Sequence, residues 1–323
     1  MTPPEVTVGI SRLLCGDSVD VLKSLPDASV HCCVTSPPYY GLRDYGHTGQ
    51  IGAEKSPTEY VARLVAVFAE VRRVLRKDGT VWLNLGDSYA GSWGAQSKVQ
   101  KGKHQGKISK RQIEAAQKQE SRTGSIPVGE LLKPKDVIGI PWMVAFALRD
   151  AGWYLRQDIV WSKPNPTPES VQDRCTKAHE YIFLLSKSKR YHFDRKFIQE
   201  PATYAGKKRG GSKKRYNAAN NGMDSKVYDT RNKRSVWTVR VRPYKKAHFA
   251  TYPPELIEPC VLAGCPQGGT VLDPFNGAGT TGMVAMKYGR HYIGIDINPE
   301  YIQLAAAQLR TVTIPFSADG PND

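Results

Sequence analysis

Two rhythms of apolar and polar positions run along this chain. Residues 30–35 (VHCCVT) are a short, β-branched apolar run that stops at Ser36-Pro37-Pro38, which predicts a buried strand. Val61, Leu64, Val65, Phe68, Val71 and Leu75 then recur at helical spacing until Lys77-Asp78-Gly79, a stop signal. Residues 80–85 (TVWLNL) read as the next strand, 142–149 as a helix opened by Pro141, 153–161 as an extended run, and 181–185 (YIFLL) as a buried strand. From 186 to 246 no rhythm persists. Order returns with a helix over 254–262, a strand at 270–273, a glycine-rich turn, a helix to about 288, a strand at 292–296 and a last helix over 299–310. Strands alternating with helices predict an α/β fold with a mostly parallel sheet, one domain split by an insert.

Charge sharpens that division. The chain of 323 residues carries a formal net charge of +16, and its placement is uneven. Residues 186–246 hold 19 Lys/Arg against 4 Asp/Glu, and 98–133 hold 9 against 3, so the remaining body is mildly acidic, with a net of −5. Localised positive charge of this kind marks a polyanion-binding face, with nucleic acid as the expected partner and solvated tails as the alternative. No apolar run reaches the roughly 18–20 residues that span a bilayer. The first residues, MTPPEVTVGI, lack the basic and apolar regions of a signal peptide, so a cytoplasmic protein with no membrane partner is expected. Six cysteines form no CxxC pair, which argues for reduced thiols and no metal site.

Two short motifs carry the chemistry. Residues 273–282, DPFNGAGTTG, place GxGxxG after a predicted strand and before a helix, where glycines let a ligand approach backbone near a helix N-terminus. Asp296 ends the next strand, where a carboxylate can accept from ribose hydroxyls or cap the helix that begins near Asn298-Pro299. Dehydrogenases, methyltransferases and plain turns share such a loop. Thr35-Ser36-Pro37-Pro38-Tyr39 sits at another strand end. Its prolines cannot donate hydrogen bonds, which leaves carbonyl acceptors, while Tyr39 offers a flat face and Ser36 a hydroxyl. An exocyclic amino group needs such acceptors, because its lone pair is delocalised into the ring. A packed Pro-Pro turn is the plain alternative.

Together, TSPPY at 35–39 and DPFNGAGTT at 273–281 closely resemble the amino-group DNA methyltransferases that use S-adenosylmethionine. With SPPY first, the basic insert between and FNGAG last, the order is similar to their permuted β group. The resemblance implies a Rossmann-like methyltransferase sheet with a basic target-recognition insert. Residues 1–185 would form the catalytic part (with the insert 98–133), 186–246 the target-recognition region, and 247–323 the cofactor-binding part of the same domain.

It implies that Ser36, Pro37, Pro38 and Tyr39 hold a flipped base. S-adenosylmethionine would be held by Thr35, Asp273, Pro274, Phe275, Asn276, Gly277, Gly279, Thr280 and Thr281, with Asp296 on its ribose. Gly16-Asp17 would touch its adenine, although Asp17 reads equally as the N-cap of a helix over 19–25. His248 and the TYPPEL that follows at 251–256 resemble the segment that closes over the cofactor, with Thr251 near its carboxylate end. Serine at position 36 is commoner among N4-cytosine enzymes, and Asp or Asn there among N6-adenine enzymes, so both targets stay open. The inserts match no family motif; Lys207, Lys208, Arg209, Lys213, Lys214, Arg215 and Arg231 are the expected contacts to double-stranded DNA. A homodimer and a separate restriction endonuclease are left open as partners. An NAD enzyme, an RNA methyltransferase and a non-catalytic DNA-binding regulator are the alternatives, the first leaving SPPY and the basic insert without a role.

Overall fold

The computed structural model describes residues 3–42, 47, 49–91, 132–203, 205–206, 228–242 and 252–313. A hairpin of β1 (Glu5–Val8) and β2 (Ser11–Cys15) opens the chain and leads into α1 (Ser18–Lys23). Then come β3 (Val30–Thr35), α2 (Pro57–Val74), β4 (Leu75–Leu85), α3 (Ile140–Asp150), β5 (Tyr154–Ser162) and β6 (His179–Ser186). Short pieces follow: a 3-10 turn at Arg195–Ile198, β7 (Glu200–Pro201), β8 (Thr230–Arg231) and β9 (Val236–Thr238). The chain ends with α4 (Pro254–Gly264), β10 (Thr270–Asp273), α5 (Thr280–Lys287), β11 (His291–Asp296) and α6 (Pro299–Leu309).

Nine strands form one sheet in the order β1-β2-β11-β10-β3-β4-β6-β5-β9. From β2 to β4 all neighbours run parallel, whereas β6 lies antiparallel to both β4 and β5. The two C-terminal strands sit in the middle of the sheet, between β2 and β3, so residues far apart in sequence share one rim. β9 adds a parallel edge to β5, so the basic stretch of 186–246 re-enters the sheet before it ends.

Alternation along the strands explains the two cores. Cys33, Val81, Leu83 and Leu272 face one side with α1, α2 and α3, while Cys32, Val34, Trp82 and Val271 face the other with α4, α5 and α6. Both faces are covered, as a parallel sheet requires. The thiols of Cys32, Cys33, Cys260 and Cys265 are free and buried, and burial pushes that of Cys265 up to about 12. They are core side chains, not nucleophiles.

One expected boundary moves. The helix stops at Val74 and β4 begins at once, so Lys77-Asp78-Gly79 is not a loop. Leu75 pairs with Val30, and the next ladder pair is Thr80 with Cys32, so the four residues between bulge away from β3. The extended run at 153–161 is present as β5, shifted by one residue, and the YIFLL strand as β6, longer at both ends. The N-terminal hairpin was not expected.

Candidate active site at the carboxyl ends of the parallel strands

Open α/β sheets bind ligands outside the carboxyl ends of their strands. Here that rim gathers Gly16-Asp17 after β2, Asp296 of β11, Asp273 of β10, Thr35-Ser36 of β3 and Gly86-Asp87 after β4. The two motifs, separated by more than two hundred residues, are joined directly. Thr35 Oγ1 donates to Asp273 Oδ1 at 2.6 Å in a buried hydrogen bond.

Asp273 is only 1% exposed, and its oxygens are filled from within. The backbone N–H of Phe275 donates to Oδ1 at 3.1 Å, while the hydroxyls of Thr281, at 2.6 Å, and Tyr252, at 3.2 Å, reach Oδ2. Burial pushes its carboxyl up, and the bonds from Thr281, Thr35, Phe275 and Tyr252 oppose that rise. Its side chain therefore ties β3, β10 and the segment before α4 together. Asn276 also points inward, accepting from Tyr292 Oη at 2.8 Å and donating to the Gly277 carbonyl at 2.9 Å. Pro274, Thr280 and Thr281 are buried, and the Pro274 carbonyl accepts from Ser18 Oγ at 2.7 Å.

Backbone meets the cleft at the glycines. A Cβ on Gly277 would meet only the Phe275 carbonyl oxygen, at 4.0 Å, while Gly279 adopts φ +82°, and a Cβ there would come within 2.9 Å of Ala305. Only glycine permits both that turn and the close seat of α5 on α6. Asp296 braces the turn from below: its Oδ2 accepts from Gly277 N at 2.8 Å and its Oδ1 from Asn298 N at 2.9 Å. The N-cap of α6 is Asn298, which accepts from Glu300 N, so Asp296 is not that cap. Burial pushes the Asp296 carboxyl up to about 6 against those two N–H bonds. Asp17 does cap α1, accepting from Val19 N at 2.9 Å, and Gly16 N donates to the Asp296 carbonyl at 2.9 Å. Carboxylates beside bare glycine backbone suit a ligand with ribose hydroxyls and a charged tail. These residues fit S-adenosylmethionine.

On the other side of Thr35, the SPPY segment is pinned at several points. Tyr60 Oη donates to the Pro38 carbonyl at 2.9 Å, and Tyr39 Oη donates to Glu180 Oε2 at 2.6 Å, with Asn84 Oδ1 at 3.2 Å. A Cβ on Gly86 would fall 2.5 Å from Tyr39 Cε2, so glycine there makes room for the ring. Burial, and next the Glu180 charge, push the Tyr39 phenol well up, so it stays a neutral donor. Asp87, next to Gly86, accepts from the N–H groups of Gly139 and Ile140 and so fixes the start of α3.

A DNA methylase family profile matches residues 30–307 of the chain. The chain belongs to this family. It is 46% identical over 311 residues to the Type II methyltransferase M.XycI of Xanthomonas campestris pv. cyanopsidis, covering 96% of this chain and 91% of that one. It is equally identical over 296 residues to M.Cfr9I of Citrobacter freundii, covering 91% and 86%. Among solved structures, the cytosine-N4-specific PvuII DNA methyltransferase shares the fold, with a TM-score of 0.62 and 19% identity over 96% of this chain and 89% of that one. As a member of the DNA methylase family, the chain is an S-adenosylmethionine-dependent enzyme that methylates an exocyclic amino group of a DNA base, at N4 of cytosine or N6 of adenine.

Sequence reasoning named Thr35, Ser36, Tyr39, Asp273, Gly277 and Asp296, and the structure brings all of them to one rim. It did not single out Asn84, Gly86, Glu180, Lys163, Tyr60 or the tie from Tyr252 to Asp273. Asn84, a polar residue inside the apolar run TVWLNL, was the readable signal. Of the expected DNA contacts, Arg231 is held by Glu200 Oε1 at 2.8 Å and Thr203 Oγ1 at 2.7 Å, so its guanidinium already has partners. Lys207, Lys208, Arg209, Lys213, Lys214, Arg215, His248 and Thr251 lie outside the described residues.

Proposed function

We propose that the enzyme methylates N4 of cytosine, with the flipped base held by Ser36, Pro37, Pro38 and Tyr39 and the cofactor by the glycine turn, Asp296 and the Gly16-Asp17 turn. The observation that carries this reading is the buried Thr35–Asp273 hydrogen bond, which sets the two cradles side by side. Bound on the glycine side, S-adenosylmethionine supplies an electrophilic methyl carbon. The target base leaves the duplex, because its amino nitrogen is otherwise paired and stacked. Tyr39 then stacks on it. Tyr60 occupies the Pro38 carbonyl, so the acceptors assigned to the amino N–H groups are Ser36 Oγ and the Pro37 carbonyl. Their pull draws the lone pair out of the ring toward a nucleophilic geometry, and no covalent enzyme intermediate is needed.

Serine at position 36, where adenine enzymes more often carry Asp or Asn, supports cytosine. Residues 186–246 are assigned to target recognition. The names of the relatives support a place beside a restriction endonuclease of the same specificity, acting in the cytoplasm. Mass spectrometry of nucleosides from duplex DNA methylated in vitro tests the assignment. N4-methylcytosine is expected from the wild type and none from Ser36→Ala or Tyr39→Ala, which should still bind cofactor. N6-methyladenine would overturn the target base, and full activity in both variants would return SPPY to a packed turn.

A further inference from the structure

Glu180 and Lys163 form a charged pair beside the base cradle, and methyl transfer itself gives them no task. Glu180 sits at the start of β6 and Lys163 directly after β5, on adjacent antiparallel strands. Their side chains are 15% and 17% exposed and in contact, through Glu180 Oε1 and Lys163 Nζ. Lys163 Nζ also lies 4.3 Å from the centre of the Trp161 ring. Removing two charges this far from water is costly, and hydrophobic residues would often serve stability as well. A pair kept in such a place has a partner to direct.

That partner is Tyr39. The second oxygen of Glu180 accepts from Tyr39 Oη at 2.6 Å and from Asn84 Nδ2 at 3.2 Å, and Asn84 Nδ2 is held in turn by the Tyr181 carbonyl at 3.1 Å. A carboxylate can only accept, so the Tyr39 proton points to Glu180 and the ring is fixed from its hydroxyl end.

We propose that Glu180, held in place by Lys163, is a positioning residue that locks the Tyr39 ring on which the target base stacks. The lysine contact holds one oxygen of Glu180 and leaves the other fixed on the Tyr39 hydroxyl. This rests on the reading of SPPY as the base cradle.

The test compares wild type, Tyr39→Phe, Glu180→Ala, Glu180→Gln and the double variant Tyr39→Phe/Glu180→Ala. Single-turnover transfer of tritiated methyl groups to long unmethylated duplex DNA is measured at saturating S-adenosylmethionine. Cofactor affinity by titration calorimetry and melting temperature are followed alongside. Loss of a hydrogen bond to a charged group should slow Tyr39→Phe and Glu180→Ala by about tenfold or more each. The double variant should be no slower than the slower single one, because both changes break the same link. Glu180→Gln keeps an acceptor and should regain most of the rate, with cofactor affinity unchanged throughout.

Wild-type transfer by Tyr39→Phe, which keeps the ring and its packing, would overturn the proposal even if Glu180→Ala fails to fold. So would a Glu180→Gln as slow as Glu180→Ala, which would make the carboxylate a proton acceptor. Failure of the underlying reading looks different. There Ser36→Ala and Tyr39→Ala would themselves transfer methyl groups at the wild-type rate.

Discussion

Asp296 shows how one side chain combines two duties. Its oxygens accept from two backbone N–H groups, which shapes the glycine turn, and its remaining lone pairs are the ones proposed to accept from the ribose. Burial raises its carboxyl to about 6, so its ionisation falls within an accessible pH range. Ribose hydroxyls bind a carboxylate more strongly than a neutral acid. Affinity for S-adenosylmethionine should therefore weaken as pH falls through about 6, by about tenfold between pH 7 and pH 5 if only the ionised form binds. Asp296→Asn should bind more weakly at pH 7 and show no such slope. Calorimetric titrations at both pH values check this, and a flat wild-type profile would remove Asp296 from the ribose. In the empty protein the sign is reversed. A raised folded value contributes stability below the ordinary carboxylate range that is lost as pH rises through about 6, so mild acid favours the empty fold while it disfavours the ligand.

At the scale of elements, the site is a meeting of strand ends, and the joint between β3 and β10 governs it. Thr35→Val keeps the shape of the side chain and deletes the hydroxyl that satisfies Asp273 Oδ1. Leaving a buried acceptor short of a donor costs on the order of 1–3 kcal/mol. Denaturant unfolding should show a loss of that size, accompanied by weaker cofactor binding, because Asp273 also holds Phe275 N. Unchanged stability and affinity would mean that the motifs are seated independently. β3, β10 and β11 were legible in the sequence, since each is an apolar run ended by a turn signal. The start of β4 was not, because a four-residue bulge imitates a helix stop followed by a loop. The reversal at β6 was also hidden, because strand direction leaves no mark on a buried apolar run. The same limit hid Glu180: its partner Tyr39 lies 141 residues away, and only the ladder between β4 and β6 brings them together.

Across the whole molecule, charge and chemistry are segregated. The rim assigned to methyl transfer lies on a mildly acidic body, while residues 186–246 carry a net of +15. Several of the described cations of that stretch are engaged within the protein. Arg231 and Arg234 share Glu200, Arg242 reaches Glu255 at 2.6 Å, and Lys233 lies over the Trp237 ring. These contacts, with the β7–β8 pair, tie the described ends of the stretch to each other and, through β9, to β5. The lysines and arginines between those ends are the ones assigned to DNA. Phosphate contacts position a duplex without reading its sequence, and they make binding depend on salt. Neutralising Lys207, Lys208, Arg209, Lys213, Lys214 and Arg215 together should weaken DNA binding and flatten its salt dependence by roughly 0.9 in logarithmic slope for each phosphate left without a cation. Cofactor affinity should hold, because the glycine turn and Asp296 lie on other strands. Fluorescence anisotropy over a range of salt concentrations measures both quantities. An unchanged affinity and slope would make this stretch a solvated surface and place the DNA-reading element elsewhere, with the basic residues of 98–133 as the next segment to test.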